Sequence, residues 1–495
     1  MSRFVIGFFL LGLLLMGCRS TRGDFDPNRK YEPASLKKDL AILQGVLESH
    51  HPGLYWYQTE SEWRERLSLA TNQLNNPLTE PEFRKVLRPL VSNIRCGHTS
   101  IRASKKWQRY TDTLRIQKLF PISVKCWTDT MLVLGNLDPK DSLLVRGTQI
   151  LSINGKTPKE IYASLFPYIF GDGFNESHKY QTLSGWGTFG NYYRQYLDSS
   201  STLNLELIDV SGIRQSAVRS YYTPVRDTSK KVPTAKLTKK QKRVRRLEGI
   251  RSLQIDPKEK QALLRINSFS QNGRLRSFFR KGFKLLDQNN IEDLIIDVRN
   301  NGGGRVGNST ALTRYVTDRR FKIADSLYAV RRNSSYGKYI EHNLAIQASM
   351  PFLTRKRKDG LHHFGYFERH FFTPKKNNRF SGRVYILTGG NSFSATTLFV
   401  QAVKGQKNVT VIGEETGGGA YGNSAWEIPD VTLPHTGVRF RLPLFRMVMN
   451  KEIPNDGRGI LPDVYVGSTV ESVRRNIDNK MQVAVQLIQE NRRKE

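Results

Sequence analysis

The chain has few cysteines and no recognisable metal-binding pattern. Its three cysteines in 495 residues include Cys96 and Cys126, which could form one disulfide, but this is not the dense pattern of a disulfide-stabilised scaffold. The pairs His50-His51 and His362-His363 are adjacent rather than four positions apart, and the HExxH motif is absent. The sequence therefore gives no basis for a zinc hydrolase, and we expect neither a metal nor a cofactor.

The sequence also lacks a convincing membrane span near its start. The apolar run over residues 4–16 is too short to cross a bilayer comfortably, and Leu15-Met16-Gly17-Cys18 at its end resembles a bacterial lipobox. We predict a lipoprotein signal peptide over residues 1–18, with Cys18 as the lipid-attachment site, and a polar tether over residues 19–33. The alternative is an ordinary signal peptide that happens to contain a cysteine. The expected location is the bacterial cell envelope, with the protein anchored to a membrane and facing the periplasm or the exterior.

Acidic residues are scarce relative to basic ones. The chain has 44 Asp and Glu against 78 Lys and Arg, which gives a formal net charge of +34. Such a balance can indicate nucleic-acid binding, but no recognised motif is present, and Lys230 to Arg251, the densest basic stretch, has almost no aromatic side chains to stack on bases. We expect no nucleic-acid partner. Residues 226–251 are interpreted as a solvated basic linker, whose charge could also favour anionic lipid surfaces.

Hydrophobic periodicity divides the remaining sequence into three regions. Residues 34–108 show helical spacing and predict a small helical N-terminal domain. Residues 109–225 contain short alternating strands, and the stretch RGTQILSINGKTPKEI resembles a strand, turn and helix of a PDZ domain, which binds an extended peptide at a sheet edge. Residues 252–480 alternate helical patterns with near-continuous apolar strands, as in a parallel sheet covered on both faces. The expected fold class is multidomain α/β.

A serine follows one of the buried strands. The strand from Val384 runs into Gly389-Gly390, and Ser394 then opens a helical segment. A helix N-terminus offers unpaired N–H groups that stabilise negative charge, so Ser394 is a candidate nucleophile and the N–H of Ala395 a candidate oxyanion donor. Ser392 or Ser394 could instead simply cap the helix, which is the commoner use of serine at such positions.

A second buried strand ends in a glycine loop, LIIDVRNNGGG, over residues 294–304. Glycine lets a substrate backbone approach closely, so an N–H of Gly302 or Gly303 could be the second oxyanion donor. The alternative is a tight strand-to-helix turn that binds nothing. A phosphate loop is disfavoured because the Gly-Lys-Ser/Thr ending is missing.

Four motifs in order resemble the tail-specific (C-terminal processing) serine peptidase superfamily: LIIDVRNNGGG, ILTGGNSFSATTLF, VIGEETGGG and Gly459-Ile-Leu-Pro-Asp463. The resemblance covers most of residues 35–470. It implies a peptidase core of the crotonase-like or ClpP-like type over residues 252–480, with Ser394 as nucleophile. One branch of this superfamily uses a Ser–Lys dyad, but Gly419 stands at the position of that lysine. The chain is therefore more similar to the tricorn core-like branch, which uses a Ser/His/Glu triad.

In that branch, a histidine far upstream is the base and a late glutamate orients it. The element Arg95-Cys-Gly-His98-Thr-Ser resembles the histidine motif, and Glu452 is the best match for the carboxylate. The resemblance implies that His98 accepts the proton of Ser394 and later protonates the leaving amine, while Glu452 fixes the imidazole tautomer.

Other ionisable residues near these motifs leave some roles open. Asp456 is a rival orienter of the histidine, Glu414 and Glu415 are weaker ones, and Lys451 is an unusual alternative base. His98 belongs to the helical region and Ser394 to the α/β region. The site therefore depends on how these two regions dock.

The resemblance implies a serine endopeptidase that cuts exported or envelope proteins near a membrane. The PDZ-like domain would present an extended peptide segment to the cleft. Two other functions stay open: a catalytically inactive peptide-binding protein on the same scaffold, and a hydrolase of non-peptide acyl bonds.

Overall fold

The computed structural model describes residues 25–114, 118–224 and 237–494. The predicted signal peptide, Cys18 and the first part of the tether lie outside these residues. Among the helices that are described, none combines the length and the apolar character needed to cross a membrane.

The α-helices of the described residues occur in every region of the chain. In chain order they are α1 Pro33–His50, α2 Glu60–Asn72, α3 Glu80–Ser92, α4 Lys105–Thr113, α5 Pro158–Leu165, α6 Ser177–Leu183, α7 Thr188–Tyr192, α8 Lys239–Glu248, α9 Leu275–Gln288, α10 Val306–Val316, α11 Asn343–Leu353, α12 Gly365–Arg369, α13 Ala395–Val403, α14 Val470–Arg474 and α15 Asn479–Arg492.

The strands of the described residues form several separate sheets. In chain order they are β1 Lys30–Tyr31, β2 Leu78–Thr79, β3 Ile101–Arg102, β4 Ile122–Trp127, β5 Thr130–Asn136, β6 Gln149–Ile153, β7 Thr202–Ile208, β8 Arg214–Ser220, β9 Arg251–Asp256, β10 Gln261–Ile266, β11 Asp293–Asp297, β12 Ser326–Ala329, β13 Arg355–Lys356, β14 His362–His363, β15 Arg383–Thr388, β16 Val409–Gly413, β17 Gly422–Ala425, β18 Asp430–Thr432, β19 Arg439–Arg441, β20 Phe445–Val448 and β21 Val464–Tyr465.

The N-terminal region is helical, and its helix starts are encoded locally. Thr59 with Glu62 and Thr79 with Glu82 form capping boxes at the starts of α2 and α3, which satisfy free N–H groups of the first turn. The apolar face of α1 that the periodicity predicts is buried and consists of Leu36, Leu40, Leu43, Val46 and Leu47.

The middle region contains an antiparallel sheet in the order β4-β5-β6-β7-β8. The Asn154-Gly155 turn ends β6, with both residues at positive φ, and α5 follows it. The longest connection in this sheet lies between β6 and β7 and contains α5, α6 and α7. Cys126 in β4 and Cys96 are both buried free thiols, so the disulfide that the sequence allows is not formed.

A six-stranded sheet in the order β21-β16-β15-β11-β10-β9 forms the centre of the C-terminal region. Its strands are parallel except for β9. Side chains of α9, α10 and α13 pack on one face, and those of α15 pack on the other. The near-continuous apolar strands are therefore covered on both sides, and the multidomain α/β prediction is confirmed.

The predicted basic linker over residues 226–251 is partly regular structure. Its described part forms α8 and leads directly into β9. The helix forms because Thr238 and Gln241 form a capping box and Lys, Arg and Gln have high helix propensity, and the role of the segment as a linker stays a prediction. No side chain of α8 is buried, so the basic charge of this helix is solvated.

The N-terminal helices share a hydrophobic core with a distant part of the chain. Side chains of α1, α2 and α3 pack in one cluster with those of β12, β18, β19 and β20. In addition, β3 pairs with β19, which places Ile101 opposite Phe440. This shared core carries the segment before β3, which contains His98, towards the C-terminal sheet.

Candidate active site

The two loops that the sequence singles out meet at one edge of the six-stranded sheet. Because β11 and β15 are parallel neighbours, the loops after their carboxyl ends lie side by side. The N–H of Phe393 donates to the carbonyl of Asn301 at 3.1 Å, and Ser392 Oγ donates to the carbonyl of Val298 at 2.8 Å. These bonds fix the serine segment against the glycine loop.

Ser394 has a backbone conformation that is unusual for a residue with a side chain. Its φ is 56° and its ψ is −120°, at the sharp turn that leads into α13. Such strain is typical of functional sites, including the strand-to-helix turns that expose a nucleophile. Ser392, by contrast, is 0% exposed and its hydroxyl is engaged with Val298, so it stabilises the turn. Of the two serines, only Ser394 lines the cavity at this edge.

His98 lies against Ser394 although the two residues are far apart in the sequence. Its Nε2 is 3.0 Å from Ser394 Oγ, which is hydrogen-bond distance, and the residue is 7% exposed. The close approach requires glycine at position 97, because a Cβ there would lie 2.4 Å from the ring of Phe393. The structure thus brings together two of the three predicted catalytic residues.

The turn that carries His98 is held by a segment of the middle region. The N–H of Gly97 donates to Asp172 Oδ1 at 2.8 Å, and the N–H of Gly173 donates to the carbonyl of Arg95 at 2.9 Å. Asp172 Oδ2 also accepts from the N–H of Gly419, at 3.3 Å. All three regions of the chain therefore converge on the histidine.

The electrostatic environment keeps His98 neutral. Burial, the positive charges of Arg441 and Arg446, and nearby His178 lower the pKa of His98 to about 3. At neutral pH the imidazole can therefore accept a proton. The same surroundings oppose the imidazolium that forms during general-base catalysis, so a negative group must offset them as the reaction proceeds.

The structure does not bring Glu452 to His98. The side chain of Glu452 is exposed, and its backbone N–H donates to Asn450 Oδ1 at 2.9 Å. The Nδ1 atom of His98 is buried and has no hydrogen-bond partner among the described residues. The orienting role of Glu452 stays a prediction.

The alternative residues for orienting or replacing His98 also make other contacts or are exposed. Glu414 pairs with Lys480 at 2.7 Å, and Glu415 pairs with Arg458 at 2.8 Å. Asp456 is exposed and accepts from a backbone N–H two residues further on, and Lys451 is exposed as well. No hydrogen bond joins any of them to His98 in the described structure.

Sequence reasoning missed the buried carboxylate beside His98. One oxygen of Asp172, the sulfur of Cys96 and a ring nitrogen of His98 all lie within 4.8 Å of one another, and this trio could hold a metal ion. Burial raises the pKa of Asp172. The sequence feature that could have pointed to Asp172 is its position as a single acidic residue between Gly171 and Gly173, in a stretch rich in aromatic side chains.

The candidate oxyanion donors differ in availability. Ala395 is the first residue of α13, so its N–H has no partner within the helix. A Cβ at Gly303 would lie 2.8 Å from Ser394 Cβ and 3.0 Å from the nitrogen of Ala395, which shows how closely the glycine loop approaches. The N–H of Gly303 already donates to Asn301 Oδ1 at 3.0 Å, whereas Gly302 lines the cavity and stays a candidate.

A large open cavity leads to these groups. Its volume is about 1590 Å³, and Ser394, His98 and Gly302 line it together with Phe393 and Trp426. A nucleophile, a neutral base within reach of it and a free N–H at a helix N-terminus are the parts that acyl transfer requires.

Comparison with known proteins agrees with this chemistry. The profile described as Peptidase family S41 matches residues 260–466. The structure of mature CPAF complexed with lactacystin is 14% identical, with 92% of this chain and 98% of that chain covered and a TM-score of 0.63. The structure of mature CPAF is 15% identical, with coverages of 92% and 96% and a TM-score of 0.63. At these identities the likeness concerns the fold.

A second protease structure matches this chain less well. The structure of the tricorn protease is 16% identical, with 92% of this chain but only 37% of that chain covered, and its TM-score is 0.40. No curated protein matches this chain.

The titration of His98 tests the electrostatic description. We expect its imidazole to stay neutral from pH 8 down to below pH 5, since burial and the nearby arginines lower its pKa to about 3. Nitrogen chemical shifts of the histidine rings, assigned with the His98→Gln variant, measure this directly. A midpoint between pH 6 and 7 in the folded protein would contradict the buried geometry.

Proposed function

We propose that this chain, whose residues 260–466 match the profile of peptidase family S41, hydrolyses peptide bonds of exported or envelope proteins with Ser394 as nucleophile and His98 as base. The match to this family supports a serine-type peptidase that acts on proteins or peptides. The observation that carries the residue assignment is the 3.0 Å distance between His98 Nε2 and Ser394 Oγ.

The proposed reaction uses two acyl-transfer steps. His98 accepts the proton of Ser394 as Oγ attacks the scissile carbonyl carbon, and the oxyanion forms next to the N–H of Ala395 and, in our proposal, that of Gly302. His98 then donates this proton to the leaving amine as the C–N bond breaks. Water then attacks the ester carbon while His98 accepts its proton, and His98 passes this proton to Ser394 Oγ as the ester C–O bond breaks and the carboxylic acid product leaves.

The carboxylate that supports the histidine is a separate part of the proposal. In the described conformation, Asp172 positions His98 by accepting from the N–H of Gly97, and it brings a buried carboxyl group close to the imidazole. Glu452 could orient His98, as the resemblance implies, only if residues 450–456 fold over the site when substrate binds. Substitution of Asp172 and substitution of Glu452 are therefore expected to have different effects on the rate.

A catalytically inactive peptide-binding protein is the second candidate. The observation that favours it is the unpartnered Nδ1 of His98, because the predicted triad is not assembled in the described structure. The close pairing of Ser394 with His98 favours the enzyme, since a binding protein would have no need for it.

Nucleophile labelling distinguishes these functions. The purified chain, residues 19–495, should react with a fluorophosphonate and digest casein. Ser394→Ala should abolish labelling and lower the rate on the order of 10⁶-fold, whereas the Ser392→Ala control, which removes a turn hydrogen bond, should still be labelled. Folded protein that neither reacts nor cleaves would favour the binding protein, and labelling lost only in Ser392→Ala would move the nucleophile.

Removing each carboxylate charge tests its role. We expect Asp172→Asn to lower kcat by about 10²-fold with little change in KM, because a misplaced base slows the chemical step more than it weakens binding. Glu452→Gln should change kcat by less than about threefold, since the Glu452 side chain is exposed. Thermal unfolding checks that both variants fold. A large loss in Glu452→Gln with none in Asp172→Asn would instead support closure of residues 450–456.

We further propose that a lipid on Cys18 holds the protein at the cell envelope. The support is the lipobox-like sequence alone, because residues 1–18 lie outside the described structure. The full chain made in a bacterium should incorporate labelled palmitate and sediment with membranes, whereas Cys18→Ser should do neither. Equal labelling of both proteins would disprove the anchor.

A further inference from the structure

One wall of the cavity at Ser394 is strongly basic. The starts of α9 and α10, the later part of α10 and the segment after α12 form this wall. Its cationic residues, called here the basic wall, are Arg274, Arg276, Arg280, Arg305, Arg314 and Lys375. Another cation, Arg441, lines the cavity and is close enough to lower the pKa of His98. Among the described lining residues, Glu427 is the single carboxylate.

The charges of the basic wall have no carboxylate partners within the described structure. No member forms a salt bridge with a described acidic residue, whereas Arg265 in β10 and Arg299 just after β11 both pair with Asp297. Arg314 Nε donates to the carbonyl of Thr373 at 2.8 Å, and Lys375 Nζ lies over the ring of Tyr315 at 5.4 Å. Both contacts are with neutral groups, so they leave the positive charges of Arg314 and Lys375 uncompensated, and Arg274, Arg276, Arg280 and Arg305 are exposed.

The shape of the site strengthens this field. A cleft with charges of one sign and low-dielectric walls concentrates the potential and raises the local concentration of oppositely charged ligands. Apolar side chains, including Leu275, Val306 and Leu398, line the same cavity and can pack against the aliphatic part of a substrate. The overall surplus of basic residues would attract anions anywhere on the surface, but it does not explain an almost carboxylate-free wall at the nucleophile.

We infer that the cleft selects peptide segments with Asp or Glu side chains within a few residues of the scissile bond. This inference rests on the proposed peptidase function and specifies its substrate class. Arginine binds carboxylates through two parallel hydrogen bonds, so the arginines of the wall suit this chemistry better than scattered surface charge would. Lysine-rich segments would be excluded by like-charge repulsion.

The test compares three peptides of one sequence, taken from a casein site that the enzyme cuts. The residues flanking the scissile bond are all Glu, all Gln or all Lys, and both peptide ends are blocked so that a terminal carboxylate cannot contribute. We expect kcat/KM to fall about tenfold from Glu to Gln, as two partly exposed ion pairs would give, and to fall again from Gln to Lys. The preference should shrink as salt rises to about 0.5 M.

A matched pair of variants locates the effect. Arg276→Gln combined with Arg280→Gln should bring kcat/KM for the Glu peptide close to that for the Gln peptide. The control, Arg243→Gln with Arg246→Gln, removes the same charge from α8, which does not line the cavity, and should keep the tenfold ratio.

The outcomes separate this inference from the proposed function. Equal kcat/KM values for the three peptides, with casein still digested, would overturn the acidic preference and leave the peptidase assignment standing. Equal loss of preference in both variant pairs would assign the effect to net charge and not to the basic wall. A folded chain that cleaves neither casein nor any peptide would overturn both.

Discussion

The contact between His98 and Ser394 depends on the hydrophobic core that the N-terminal helices share with strands late in the chain. His98 and Ser394 are separated by 296 positions, so no local sequence pattern can bring them into contact. It exists because α1 to α3 bury their apolar faces against β12 and β18 to β20, and because β3 pairs with β19. Burial of apolar side chains is a strong and non-directional driving force, so it can bring distant segments together. The pairing of β3 with β19 and the glycine at position 97 then set the position of the imidazole.

The site combines a buried, neutral histidine with many uncompensated cations. Arg446 is buried with two guanidinium nitrogens unpartnered in the described structure, and its charge helps to lower the pKa of His98. This environment favours proton acceptance and the stabilisation of an oxyanion, but it disfavours the imidazolium. A carboxylate close to the base would offset part of that cost, and in our proposal this group is Asp172, which has an oxygen within 4.8 Å of a ring nitrogen of His98.

The sequence predicted the parts of the fold and site that local pattern determines. Apolar periodicity predicted the helical region that contains α1 to α3, and buried strands followed by glycine loops located Ser394 and residues 301–304. The motif resemblance identified His98. The role of Asp172 escaped prediction because its burial and its contact with Gly97 arise only from the docking of three regions. The exposed position of Glu452 could not be predicted either, because the spacing of motifs does not determine the orientation of a side chain in a surface turn.

The most direct test of the proposed catalytic pair is a crystal structure of the protein after reaction with a peptidyl phosphonate. We predict a covalent bond from Ser394 Oγ to phosphorus, with His98 Nε2 still within hydrogen-bond distance of Oγ and the phosphonyl oxygen bound by the N–H of Ala395. A phosphonate attached to another residue, or an adduct on Ser394 with His98 displaced from it, would contradict the proposed catalytic pair.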